Sequence, residues 1–154
     1  MALVLILVGW AAPGHAQRAS TSVQPHLRAD ALLSSETAGH IAAGLTFRVS
    51  RYFRFDVAAG GGVGERPGGG TRGEGRGDVV VRFVLDPEFS SRWGGYGGAG
   101  MSVRSAGGET RELLLIALGI EGPRRGGVVP FAELGLGGGV RLGVGVRRAL
   151  NRRR

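Results

Sequence analysis

The sequence has no cysteine and no lysine. The first absence removes disulfide staples and thiolate metal sites together. The second leaves arginine as the only strongly basic side chain, twenty copies of it, for which a GC-rich coding bias is the plainest account. Proline is scarce at 6 residues, which excludes polyproline and collagen-like compositions. Long apolar runs are missing too. The stretch 2–8 is far short of the ~20 residues that a membrane-crossing helix needs. Aromatic residues number ten, and one of them, Trp10, stands beside that first apolar stretch. Histidine occurs three times, and no two or three His, Asp or Glu share metal-ligand spacing. No metal or other cofactor is expected.

Net charge is +8, but the arginines are dispersed, and only Arg147, Arg148 and residues 152–154 form a run. A basic face of the kind that reads nucleic acid is therefore not expected. What the chain has in excess is glycine, 31 residues, much of it inside alternating segments. Glycine there costs a helix ~1 kcal/mol per residue relative to alanine. The pattern favours strands.

Residues 40–60, HIAAGLTFRVSRYFRFDVAAG, carry the clearest signal. Ile41, Ala43, Leu45, Phe47 and Val49 share one parity; His40, Gly44, Thr46 and Arg48 share the other. After a short break, Phe53, Phe55, Val57 and Ala59 alternate with Arg54 and Asp56. Period two with one apolar face means β-strands, and two runs this close make an antiparallel hairpin. The same pattern recurs along the chain. Strands are predicted over 27–33, 78–86, 92–104, 110–120, 128–136 and 140–147, besides the two of the hairpin. The segment 110–120 is apolar on both faces in its middle and would also suit a buried helical turn. Its Gly119 and its place in the series favour a strand.

Residues 1–16 form an apolar core followed by small residues and Gly14-His15-Ala16, the layout of a secretory signal peptide, though no basic residue precedes the core. Residues 17–25 read as a polar lead-in, 26–148 as the folded domain and 149–154 as a basic tail. Residues 60–77 hold 10 glycines and almost nothing apolar, which reads as a long solvated loop. A phosphate cradle would need a buried parallel strand before it and a helix after it.

Eight strands joined by short turns leave no room for crossovers, so the order is antiparallel and up-and-down. Closure removes two raw edges. The fold class is therefore all-β, a closed eight-stranded antiparallel barrel. Alternation alone does not say which face is inside. A transmembrane barrel puts its charges in the lumen, and a soluble one puts its apolar set there. The inward set of the membrane reading is Arg28, Asp30, His40, Arg48, Arg54, Asp56, Arg82, Arg104, Glu133 and Arg141. Asp30 or Asp56 with Arg28, Arg48 or Arg54, and Glu133 with Arg141, are the expected ion pairs. Loop acids Glu65, Glu74 and Asp78 are candidates to balance the surplus of arginine. The aromatics favour the membrane. Phe47, Tyr52, Phe53, Phe55, Phe83, Phe89, Trp93 and Phe131, with Tyr96, gather toward one end, as an interfacial girdle would. The opposite end carries the long 60–77 loop.

Two registers remain open for the opening hairpin. A three-residue loop over 50–52 sets Arg48 opposite Arg54, whereas a five-residue loop sets it opposite Asp56.

The export leader, the eight alternating strands and the glycine-aromatic run 93–101 resemble the small outer-membrane barrels of the outer membrane protein A and X type. The chain departs from them at its end, ALNRRR, where such barrels usually carry an aromatic residue. The resemblance implies an outer-membrane address, contact with lipid and a monomer. Some barrels of this kind hydrolyse acyl chains with a Ser–His–acid set. Here His40, with Ser34, Ser35 and Glu36 across the first turn, is the one handle, and its inward parity favours a hydrogen-bonded lumen histidine. His26 is expected to be solvated. The function expected is structural or surface-interacting, not enzymatic, with no defined small-molecule substrate. The competing reading is a soluble exported barrel that binds a small apolar ligand.

Overall fold

A computed structural model describes residues 22–35, 37–65, 68–87 and 92–148. The described residues form eight strands and no helix: β1 (Val23–Leu33), β2 (Ala38–Arg48), β3 (Phe53–Glu65), β4 (Thr71–Val84), β5 (Gly94–Ala106), β6 (Glu109–Glu121), β7 (Val128–Leu136) and β8 (Val140–Arg148). Each strand pairs antiparallel with its sequence neighbours, and β1 pairs with β8 from His26↔Arg147 to Leu33↔Val140, closing the barrel. The ambiguous sixth segment is a strand, paired with β5 along its whole length. Its ladder to β7 is much shorter, from Ile116↔Leu136 to Glu121↔Phe131, so Glu109–Leu115 has no partner in β7.

The orientation is that of the membrane reading. Ile41, Leu45, Val57, Val81, Leu118, Leu134, Leu142 and Val144 stand on the outer wall, all exposed. Arg28, Asp30, Asp56, Arg82, Glu133 and Arg141 are buried inside. An eight-stranded barrel is just narrow enough for side chains to fill, and this one is filled.

The glycine-rich segment departs from expectation. Residues 60–77 are not a loop. β3 runs on to Glu65 and β4 starts at Thr71, paired antiparallel from Gly60↔Arg76 to Glu65↔Thr71, which leaves only 66–70 between the two strands. Glycine hides alternation from a hydropathy reading, because it has no side chain to mark a face. The expected contrast of a long-loop end against a short-turn end fails with it. The connections at the β1 start end, 85–93 and 122–127, exceed those at the other end, such as Gly107-Gly108. There both glycines have positive φ (61° and 87°), the signature of a tight two-residue hairpin.

The opening hairpin takes the three-residue loop. Phe47 pairs with Phe55 and Arg48 with Arg54, and the Ser50 hydroxyl accepts from the Tyr52 and Phe53 amides at 3.3 and 3.0 Å.

Candidate functional site

Register places arginines beside one another on the inner wall: Arg48, Arg54 and Arg82 face each other across β2, β3 and β4. Like charges at that spacing repel. The lumen resolves this by drawing partners from distant strands. Among the described residues, eight arginines (28, 54, 72, 76, 82, 104, 141, 147) and six carboxylates (30, 56, 74, 78, 121, 133) make the interior ion pairs.

Three glutamates act as hubs at successive heights. At the end where β1 starts, Glu121 of β6 accepts from Arg54 of β3 at 2.6 and 2.8 Å and pairs with Arg147 of β8 at 2.5 Å. Mid-barrel, Glu133 of β7 takes Arg28 at 3.0 Å, Arg141 at 2.5 Å, Arg82 at 3.0 Å and the Tyr96 hydroxyl at 3.0 Å. Toward the far end, Glu74 of β4 takes Arg104 at 2.7 and 2.9 Å, Arg72 at 3.3 Å and His40 at 3.1 Å. Between the hubs, Asp30 accepts from Arg28 at 2.7 Å, and Asp78 accepts from Arg76 at 2.5 Å and Arg141 at 3.1 Å. Asp56 accepts from Thr46 at 2.7 Å and lies 3.6 Å from Arg82. Charged groups out of water are tolerable only when so paired.

The mid-barrel layer also closes the bore. The Arg82 guanidinium lies 4.9 Å from the Tyr96 ring centre and 5.8 Å from that of Phe131. Glycine makes room for this filling. A Cβ on Gly143 would strike Asp30, one on Gly145 would meet Phe131, and one on Gly44 would meet His26.

Most of the expected inward residues gather here. Arg28–Asp30 and Glu133–Arg141 pair as expected, and Glu74 and Asp78 do balance the arginines. Four expectations need correction. Arg48 has inward parity but sits exposed at the barrel's end, outside the network. Phe131 is no girdle residue: it is 4% exposed and edge-on to His26 inside the lumen, and Tyr96 is inside as well. His26 is buried, not solvated, 3.7 Å from Asp56. Glu65 stays exposed at the rim and takes no part. Phe131 shares the parity of Glu133, so its place was readable from alternation. Glu121, Arg76 and Arg147 were missed as network members, although each also lies in phase with buried neighbours.

The outer girdle holds Phe47, Tyr52, Phe53, Phe55, Phe83 and Trp93. Tyr52 stacks on Phe83 at 5.9 Å, and Phe53 meets the same ring edge-on at 5.3 Å. Phe89, Glu36, the stretch 1–16 expected to be a leader and the expected tail 149–154 lie outside the described residues. His40 is bound to Glu74, and Ser34 and Ser35 stand exposed on the first turn. Among the described residues no three His, Cys, Asp or Glu are grouped to hold a metal ion.

Comparison with solved structures decides the fold type. Neisserial surface protein A superposes with a TM-score of 0.56 at 20% identity, over 83% of this chain and 96% of that one. The chain has the fold of a small eight-stranded outer-membrane barrel. No family model matches the sequence, and no curated protein does.

Proposed function

We propose that this barrel spans an outer membrane as a monomer, sheathed in lipid, after export by the leader in residues 1–16, and that it serves as a structural or surface-interaction protein. One observation carries the reading: the polarity is inverted relative to a soluble protein. Leu118 is 64% exposed and Val144 60%, whereas Arg28, Arg82 and Arg141 are each 2% exposed. A soluble domain rarely leaves so continuous an apolar surface bare, and a bilayer is the solvent that such a wall suits. The strands of nine residues, β7 and β8, match the ~9–11 that a tilted strand needs to cross. The fold shared with Neisserial surface protein A supports the same address. With β1 and β8 paired to each other the ring has no open terminal strand, which favours a monomer.

The soluble, ligand-binding alternative loses its support, because it requires an apolar interior with a cavity. The lumen is charged, and a shallow concavity of about 730 Å³ lies on the outer wall among Ala29, Ala31, Leu118 and Leu134. With 60–65 in β3 and 71–77 in β4, the surface presented to a partner is the rim of the barrel and its turns. Cell fractionation combined with gel mobility before and after boiling tests the proposal. Recovery with outer membranes and a shift on heating are expected. Recovery in the soluble fraction without a shift would refute it.

A further inference from the structure

The three hubs leave one part of the interior electrically uneven. Beyond Glu121, toward the end where β1 starts, a cavity of about 150 Å³ opens at the mouth of the lumen. Among the described residues that line it, five are arginines, 48, 54, 92, 124 and 147, and two are acids, Glu121 and Asp86. Glu121 is already engaged by Arg54 and Arg147. Arg48 makes no ion pair among the described residues. Arg147 is 2% exposed, lines this cavity, and has two donors, Nε and Nη1, without a hydrogen-bond acceptor among the described residues. A buried guanidinium with two unmatched donors is costly. Its planar fork suits a tetrahedral oxyanion, which accepts two parallel bonds. A concave, low-dielectric mouth with one dominant sign concentrates counter-ions.

We propose that this mouth is a binding site for a phosphate-type oxyanion, with Arg147 as the buried anchor and Arg48 and Arg124 closing over it from the rim. The space, about 150 Å³, is enough for one phosphate group. Two sources share this chemistry, free phosphate and the phosphomonoester headgroup of a lipid. The second is at hand because Trp93, from the aromatic belt, sits against Gly122 of the cavity wall, its ring 3.3 Å from where a Cβ at 122 would stand. Belt aromatics mark headgroup level.

The test uses the full chain, refolded in a neutral maltoside detergent, with folding checked by heat-modifiable mobility. Phosphorus NMR titrations are run with inorganic phosphate and, separately, with dihexanoyl phosphatidic acid. Saturable binding is expected, weakened about tenfold in R48Q/R124Q, as fits the loss of a charge-assisted contact, and unchanged in R111Q at the opposite end. R124Q alone, in the exposed β6–β7 turn, should give a smaller loss and serves if the double variant does not refold. Binding of inorganic phosphate identifies the free ion as sufficient. Binding of phosphatidic acid alone identifies the headgroup. Binding of neither, or an equal loss in R111Q, overturns the proposal.

Discussion

Gly119 of β6 lies directly across the ladder from Tyr96 of β5, and the tyrosine ring fills the space a side chain at 119 would need. The missing methyl is what lets the Tyr96 hydroxyl reach Glu133. Gly119→Ala should therefore cost ~1–3 kcal/mol through overpacking. Gly75→Ala, where a Cβ meets nothing within 4 Å, should change stability by less than ~0.5 kcal/mol. Urea unfolding in lipid vesicles compares the two. Equal losses would show that the glycines do not serve lumen packing.

Glu133 is the most heavily engaged acid of the network. Replacing it with glutamine leaves Arg28, Arg82 and Arg141 without their shared anion. Breaking a buried pair from one side costs ~3–5 kcal/mol, so Glu133→Gln should unfold at markedly lower urea or fail to insert. Glu109, 75% exposed in its pair with Arg111, should tolerate the same change with a loss under ~1 kcal/mol. Adding Arg141→Met to Glu133→Gln should recover part of the deficit, since it removes one of the cations left in excess while Asp78 keeps Arg76. A double-mutant cycle measures that coupling.

The outer wall makes a separate prediction. Leu118 stands on the outer face, paired between Gly97 and Leu134. Leu118→Arg should cost ~2–4 kcal/mol in a bilayer, the penalty for a cation near the midplane. Thr71→Arg, at the tip of the β3–β4 hairpin, should cost close to nothing. Vesicle unfolding distinguishes them, and a neutral Leu118→Arg would contradict immersion of this wall.

Trp93 offers a depth gauge. With Trp10 changed to phenylalanine it becomes the only indole in the chain. Its fluorescence in vesicles should be quenched more by lipids brominated near the headgroup than by lipids brominated near the chain end, as befits a belt residue. The opposite order would place this end of the barrel inside the hydrocarbon.

Strand count and order were legible because most outward apolar side chains keep one parity within each strand from Leu27 to Val146, whereas the orientation had to come from the clustering of the aromatics, which alternation does not encode. The hairpin register was not: both choices preserved parity, and what decides between them is Glu121 reaching Arg54 from three strands away, which no local pattern encodes. The extension of β3 and β4 through 60–77 was hidden for another reason. Gly60, Gly62 and Gly64 carry no hydropathy, so the alternation continued without a mark. The acids on the partner strand kept the mark: Glu74 and Asp78 are in phase with Val80 and Arg82, and extending that phase backwards locates them inside. Phe131 went astray because closeness to an end of the barrel was weighed above its shared phase with Glu133.

The short β6–β7 ladder has a consequence for how deep the barrel sits. Past the rung Ile116↔Leu136, β6 climbs on without a facing strand. An unmatched backbone amide in hydrocarbon costs several kcal/mol, whereas in water it costs little. The hydrocarbon therefore ends along β6 no further than the level of the β7–β8 turn, where Gly137 comes up against the Leu114 carbonyl, and the β5–β6 hairpin beyond it stands in water. The waterline of the whole barrel is drawn by a single seam.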